Sequence, residues 1–125
     1  MKLKVLIVED VQESADLLRY MLRDHANEII IARDGKQALS VFEEDNDLDL
    51  ILMDFKLPQM DGYETTRKIR EKNKDVVIIA QTAYASAANE KTALEAGCNA
   101  YITKPIYKHE LFKLIEAHFP NMNEE

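Results

Sequence analysis

The sequence predicts an α/β fold of five successive βα units, (βα)5, around a single parallel sheet. Five short apolar, β-branched runs recur along the chain: Lys4–Val8, Glu28–Ala32, Asp49–Met53, Val76–Ala80 and Ala100–Thr103. Their starts lie roughly 21–27 residues apart, which is too long for hairpins and leaves room for a helix after each strand. Runs such as Val5-Leu6-Ile7-Val8 and Val76-Val77-Ile78-Ile79 do not alternate apolar with polar. They read as strands covered on both faces, as in a parallel sheet flanked by two layers of helices.

The segments between the strands carry helical periodicity. Ala15, Leu18 and Leu22 share one face of a helix expected from about Ser14 to His25. Ala38, Leu39 and Phe42 do the same in a second helix, with Gly35 just ahead of it, and Gly62 opens a third that runs through Ile69. Ser86 is placed to cap the start of a fourth helix, and Gly97 to end it in the left-handed conformation. In the last helix Leu111, Leu114, Ile115 and His118 line one face, and Pro120 stops it. The chain reads as one domain over residues 1–125, with 121–125 a frayed acidic tail.

Composition removes several function classes. The 125 residues are 46% apolar and 31% charged, ordinary for a globular domain with its own core. No apolar run exceeds five residues, far short of the ~20 of a membrane span. A net charge of −7 opposes direct contact with nucleic acid, which relies on Lys and Arg to neutralise phosphates. The lone Cys98 has no internal disulfide partner, as expected in a reducing cytoplasm, and reads as a small buried hydrophobe. Three scattered glycines allow neither G-x-G-x-x-G nor a Walker loop, and His25, His109 and His118 lack metal-ligand spacing.

Polar residues gather at the strand ends. Glu9 and Asp10 follow the first strand, Asp54 the third, Thr82 the fourth and Lys104 the fifth. In open α/β sheets that carboxyl edge is where ligands bind. Taken singly, Asp54 reads as a helix cap or turn residue, Thr82 as a cap and Lys104 as a surface charge. Five segments in order change that reading: Val8-Glu9-Asp10, Met53-Asp54, Pro58-Gln59-Met60-Asp61-Gly62, Gln81-Thr82-Ala83 and Tyr101-Ile102-Thr103-Lys104-Pro105. Together they resemble the receiver domain of bacterial two-component response regulators. The likeness spans essentially the whole chain, and its motifs sit nearest to the receivers of hybrid sensor histidine kinases.

The resemblance implies a flavodoxin-like three-layer sandwich with strand order 2-1-3-4-5, which makes strands 1 and 3 neighbours and brings Glu9, Asp10 and Asp54 together. Like charges ~5 Å apart repel by roughly 3 kcal/mol per pair at an effective dielectric of about 20. A hard divalent cation relieves this, and Mg²⁺ suits one or two carboxylates with waters and a phosphate oxygen. In the family's terms Asp54 is the phosphoacceptor, taking a phosphoryl group from the phosphohistidine of a sensor histidine kinase or phosphotransfer protein. Asp10, Asp54 and the backbone carbonyl of Lys56 hold Mg²⁺, and Glu9 reaches it through water. Lys104 and Thr82 bind the phosphoryl oxygens, Tyr101 is the switch aromatic, and the Lys104–Pro105 peptide is cis.

The implied output is a shift of helix 4, strand 5 and helix 5, a surface where Lys91, Tyr101, Lys108 and Lys113 form a mildly basic strip. A solvated helical face is the plainer account of each lysine alone. The domain is then a regulatory phosphoacceptor that assists its own phosphorylation and dephosphorylation, not an independent enzyme. It is expected in the cytoplasm, without membrane contact. Monomer and phosphorylation-dependent homodimer both stay open, as do a free-standing regulator and a segment of a hybrid kinase. A haloacid-dehalogenase-type phosphatase requires an acid two residues past its nucleophile, where Lys56 stands. A receiver that acts only as an adaptor lacks the acids or the lysine present here, and a flavodoxin has a Ser/Thr/Gly-rich loop after strand 1 that is absent.

Overall fold

The computed structural model describes residues 2–45, 47–57 and 60–121. Among the described residues ten elements alternate: β1 (Leu3–Val8), α1 (Gln12–Leu22), β2 (Ala26–Ala32), α2 (Gly35–Glu44), β3 (Leu50–Asp54), α3 (Gly62–Lys72), β4 (Val77–Thr82), α4 (Ala87–Ala96), β5 (Ala100–Thr103) and α5 (Lys108–His118). All strand pairs are parallel, in the order β2-β1-β3-β4-β5. The expected fold class and strand order are both present.

Because side chains alternate across a strand, each central strand feeds two cores. Leu3, Val5 and Ile7 of β1, with Leu50, Leu52 and Ile79, pack against Leu18 and Leu22 of α1 and Leu111 and Ile115 of α5. Leu6, Val8, Ile51, Met53, Ile78 and Ala80 face the other way, onto Ala38 and Phe42 of α2, Ile69 of α3 and Ala93 of α4. This double burial explains the continuous apolar runs.

Caps fix three helix starts. Asp34 accepts the N–H of Gln37, Asp61 that of Glu64 and Ser86 that of Asn89. Gly97 closes α4 with φ 117°, as its position suggested. Gly35 lies inside α2 rather than ahead of it, because Asp34 is the residue that caps. The first helix also differs from expectation: it starts at Gln12 behind an extended Val11 with no side-chain cap, and stops at Leu22. His25 is drawn out of it because its carbonyl accepts the N–H of Leu3 at the foot of β1.

β2 begins at Ala26, two residues before the expected start at Glu28, since the exposed Asn27 of this edge strand carries no apolar signal. β3 and β4 each reach further than their apolar runs, to Asp54 and to Thr82. Polar residues thus end both strands, and the ladder carries them to the carboxyl edge. At the opposite edge Arg70 of α3 donates to the Gly97 carbonyl (2.8 Å) and to Asn99 Oδ1 (2.9 Å), which also accepts the Ile78 N–H. One guanidinium so ties α3, the end of α4 and β4.

Gly62 holds the loop that follows β3 against the strand's end. A Cβ there would stand 2.5 Å from the Asp54 carbonyl oxygen and 2.7 Å from Phe55 Cα. Both are backbone atoms that cannot swing aside. Gly62→Ala is expected to cost about 1–3 kcal/mol, read as a lower urea midpoint; an unchanged midpoint would show that the backbone there can retreat. Pro58 and Gln59 of the turn motif, and residues 122–125 of the expected tail, lie outside the described residues.

Candidate functional site

The carboxyl edge of the sheet assembles the residues that the sequence singled out. Glu9 directly follows β1, and its N–H reaches the Ala32 carbonyl of β2. Asp54 is the last residue of β3, and Thr82 the last of β4. Lys104 follows β5, its N–H bonded to the Thr82 carbonyl at 2.7 Å. The sheet order changes direction between β1 and β3, and the acids sit at that point.

Carboxylate oxygens of Glu9, Asp10 and Asp54 all lie within 4.8 Å of one another. Glu9 is wholly buried and Asp54 is 4% exposed, while Asp10 stands at the solvent rim. Lys104 Nζ is 2.8 Å from Glu9 Oε1 and 3.1 Å from Asp54 Oδ2, so one ammonium bridges two acids. The second oxygen of Glu9 accepts the Val11 N–H (3.3 Å), and Asp54 Oδ1 that of Lys56 (2.9 Å). Those short-range bonds fix the rotamers of both acids before any ligand arrives.

Burial pushes the Glu9 carboxyl up to about 7; Asp54 beside it adds to the rise, and Lys104 only partly offsets it. Burial also acts to lower the Lys104 ammonium, but Glu9 and Asp54 outweigh it and hold the lysine above its ordinary value. One cation among three acids leaves the cluster net negative. Oxygen donors at this spacing, with a surplus of negative charge, fit a hard divalent cation.

A cleft of about 700 Å³ opens over the acids. Asp10, Lys56, Thr82 and Lys104 line it, together with Gln81, Tyr84 and Asn89 of α4. The Thr82 hydroxyl donates to the Tyr84 carbonyl (3.3 Å), which also accepts from Asn89 Nδ2 (2.9 Å). Tyr101 is half-buried in β5, packed on the core beneath α2, α3 and α4. The Lys104–Pro105 peptide is cis.

A model of the response regulator receiver domain matches residues 5–116. The chain belongs to the response regulator receiver domain family. This receiver is 36% identical over 130 residues to the hybrid signal transduction histidine kinase I of Dictyostelium discoideum, covering 98% of this chain. It spans 8% of that kinase's length. The co-crystal structure of the Saccharomyces cerevisiae histidine phosphotransfer protein Ypd1 with the receiver domain of Ssk1 matches at 35% identity and a TM-score of 0.89, covering 96% of this chain and 90% of that one. The receiver domain of the sensor histidine kinase PA1611 of Pseudomonas aeruginosa, with magnesium coordinated in its active-site cleft, matches at 34% identity and a TM-score of 0.85 over 96% and 99% of the two chains. The protein is thus a receiver of two-component phosphorelay signalling, and none of its described helices is long and apolar enough to cross a membrane.

His25, His118, Lys91, Lys108, Lys113 and Cys98 do not line the cleft. His25 packs edge-to-face on Phe112, and His118 Nδ1 lies 3.0 Å from the Leu114 carbonyl. Lys91, Lys108 and Lys113 are exposed. Cys98 is buried beside Thr66, and burial pushes its thiol up to about 12. The native protein is therefore expected to resist a thiol reagent at about pH 8 and to react once unfolded, since the thiolate is the nucleophile. Rapid native labelling would contradict that burial. In the sequence Gln81 stood out only as the neighbour of Thr82 in one motif, with no role of its own; the structure buries its side chain in a strand end that the apolar run did not include.

Proposed function

We propose that residues 1–125 form a phosphoreceiver in which Asp54 accepts a phosphoryl group from the phosphohistidine of a sensor histidine kinase or a phosphotransfer protein. The observation that carries this reading is the meeting of Glu9, Asp10 and Asp54 within 4.8 Å, with Lys104 reaching two of them. A carboxylate oxygen of Asp54 attacks phosphorus in line, the P–O bond forms as the P–N bond breaks, and the imidazole leaves with a proton from solvent. Mg²⁺, held by Asp10, Asp54, the Lys56 carbonyl and, through water, Glu9, would neutralise charge on the phosphoryl oxygens. Lys104 moves from the acids onto those oxygens, and the Thr82 hydroxyl gives up the Tyr84 carbonyl to donate to one of them.

That exchange of partners by Thr82 loosens the strap between β4 and α4, and Tyr101 turns inward to fill the space. The output is the surface of α4, β5 and α5, with Lys91, Lys108 and Lys113 on it. The protein works in the cytoplasm, and it assists its own phosphorylation and dephosphorylation without acting on a separate substrate. The test is incubation with acetyl phosphate and Mg²⁺, followed by intact mass. A gain of one phosphoryl group, lost when EDTA replaces Mg²⁺, is expected; no gain under any donor condition would overturn the assignment.

A further inference from the structure

Gln81 is 1% exposed, and neither its amide nitrogen nor its amide oxygen has a protein partner among the described residues. Leaving either end of a buried amide unbonded forfeits its hydration with nothing in return, and such groups in folded proteins are nearly always satisfied. A leucine or methionine of similar size would avoid that cost. The amide is therefore placed for a partner that is not part of the chain.

Its position says which. Gln81 is the register partner of Asp54, so the two side chains leave the same face of adjacent strands. Adjoining the cleft is a smaller pocket of about 130 Å³, partly open to solvent and lined also by Glu9, Ser14, Leu18, Pro105 and Ile106. Among the described residues, Gln81 and Lys104 line both spaces. The small cavity holds room for a few waters at about 30 Å³ each. Glu9, Ser14, Gln81 and Lys104 supply the two to four polar partners that hold a water in place. An ammonium has three N–H donors, and those of Lys104 given to Glu9 and Asp54 leave one over.

We propose that Gln81 is a positioning residue for Lys104, acting through ordered water in the cavity that the two side chains share. A lysine head on a flexible four-carbon stem loses its aim unless something holds it. When Lys104 leaves Glu9 and Asp54 for a phosphoryl oxygen, the water anchored on Gln81 keeps its third donor occupied and its height above the sheet unchanged. The inference rests on the phosphoreceiver reading, since it concerns the lysine of that site.

A high-resolution crystal structure of the metal-free protein should contain water bonded to both the Gln81 amide and Lys104 Nζ. A dry cavity, or Gln81 bonded directly to a protein atom, overturns the proposal. Binding of beryllium fluoride with Mg²⁺, as a phosphoryl mimic, should weaken about tenfold in Gln81→Leu, the value of one charge-assisted hydrogen bond. Gln81→Asn should recover most of that loss, because one more water fills the space of the missing methylene. Equal binding by all three proteins, or an asparagine variant as weak as the leucine one, overturns it. Gln81→Met replaces the leucine variant should that one melt before assay. A wild-type protein that binds no beryllium fluoride while its cavity water is present would count against the phosphoreceiver reading, and the water arm would still decide the placement of Gln81.

Discussion

An Asp54→Ala variant is expected to take up no phosphoryl group from acetyl phosphate and Mg²⁺, under conditions in which the wild-type chain takes up one. The loss should be complete because the neighbouring acids cannot substitute. Glu9 is wholly buried, with one oxygen on Lys104 and the other on the Val11 N–H. Asp10 stands at the rim, with no strand end to aim it. The variant should stay folded, since the Glu9–Lys104 pair and both apolar cores survive the change. Circular dichroism and the urea midpoint separate loss of the acceptor from loss of the fold. Residual uptake at a second carboxylate would refute the assignment.

The second large effect is expected from Lys104→Met. Removing the ammonium leaves two nearly buried carboxylates without their shared cation. Breaking a fully buried pair costs about 3–5 kcal/mol, and the 30% exposure of Lys104 brings the expectation down to about 2–3 kcal/mol in EDTA. The cost should depend on pH in a defined direction. The Glu9 carboxyl, pushed up to about 7, lies above its unfolded value of 4.5. The folded protein therefore binds a proton more tightly than the unfolded chain, and this contribution to stability is full below 4.5 and is lost as pH rises through about 7. Lys104 lowers that carboxyl, so without it the decline should continue to higher pH. Urea midpoints at about pH 5, 7 and 8.5 read the trend directly. A midpoint difference independent of pH would mean that Lys104 contributes packing alone. Phosphorylation should fall by about 10²–10³, the loss from removing one preorganised donor to developing charge.

What could be read from the chain alone follows a physical rule. Strand spacing, double-sided burial and the Ser86 and Gly97 caps are short-range properties, written in periods of two, 3.6 and single turns. Asp54 and Thr82 could be placed at strand ends because an apolar run stops directly before Asp54 and just short of Thr82. The boundaries of α1 and β2 depart from the sequence expectation where the residues are polar and exposed, and where the deciding bond joins His25 to Leu3. The convergence of the acids was reachable only through the family resemblance, since nothing in the spacing of strands 1 and 3 makes them neighbours.

Residue order alone therefore established five βα units, the two buried faces of the sheet and the edge at which charged side chains emerge. Folding in three dimensions settled which charges meet. Lys104 pairs with Glu9 across 95 positions and with Asp54 across 50, and Gln81 is enclosed beside them. Local periodicity records whether a side chain faces inward, because that depends on its own strand or helix. It cannot record what the side chain meets there, because the partner comes from a distant segment.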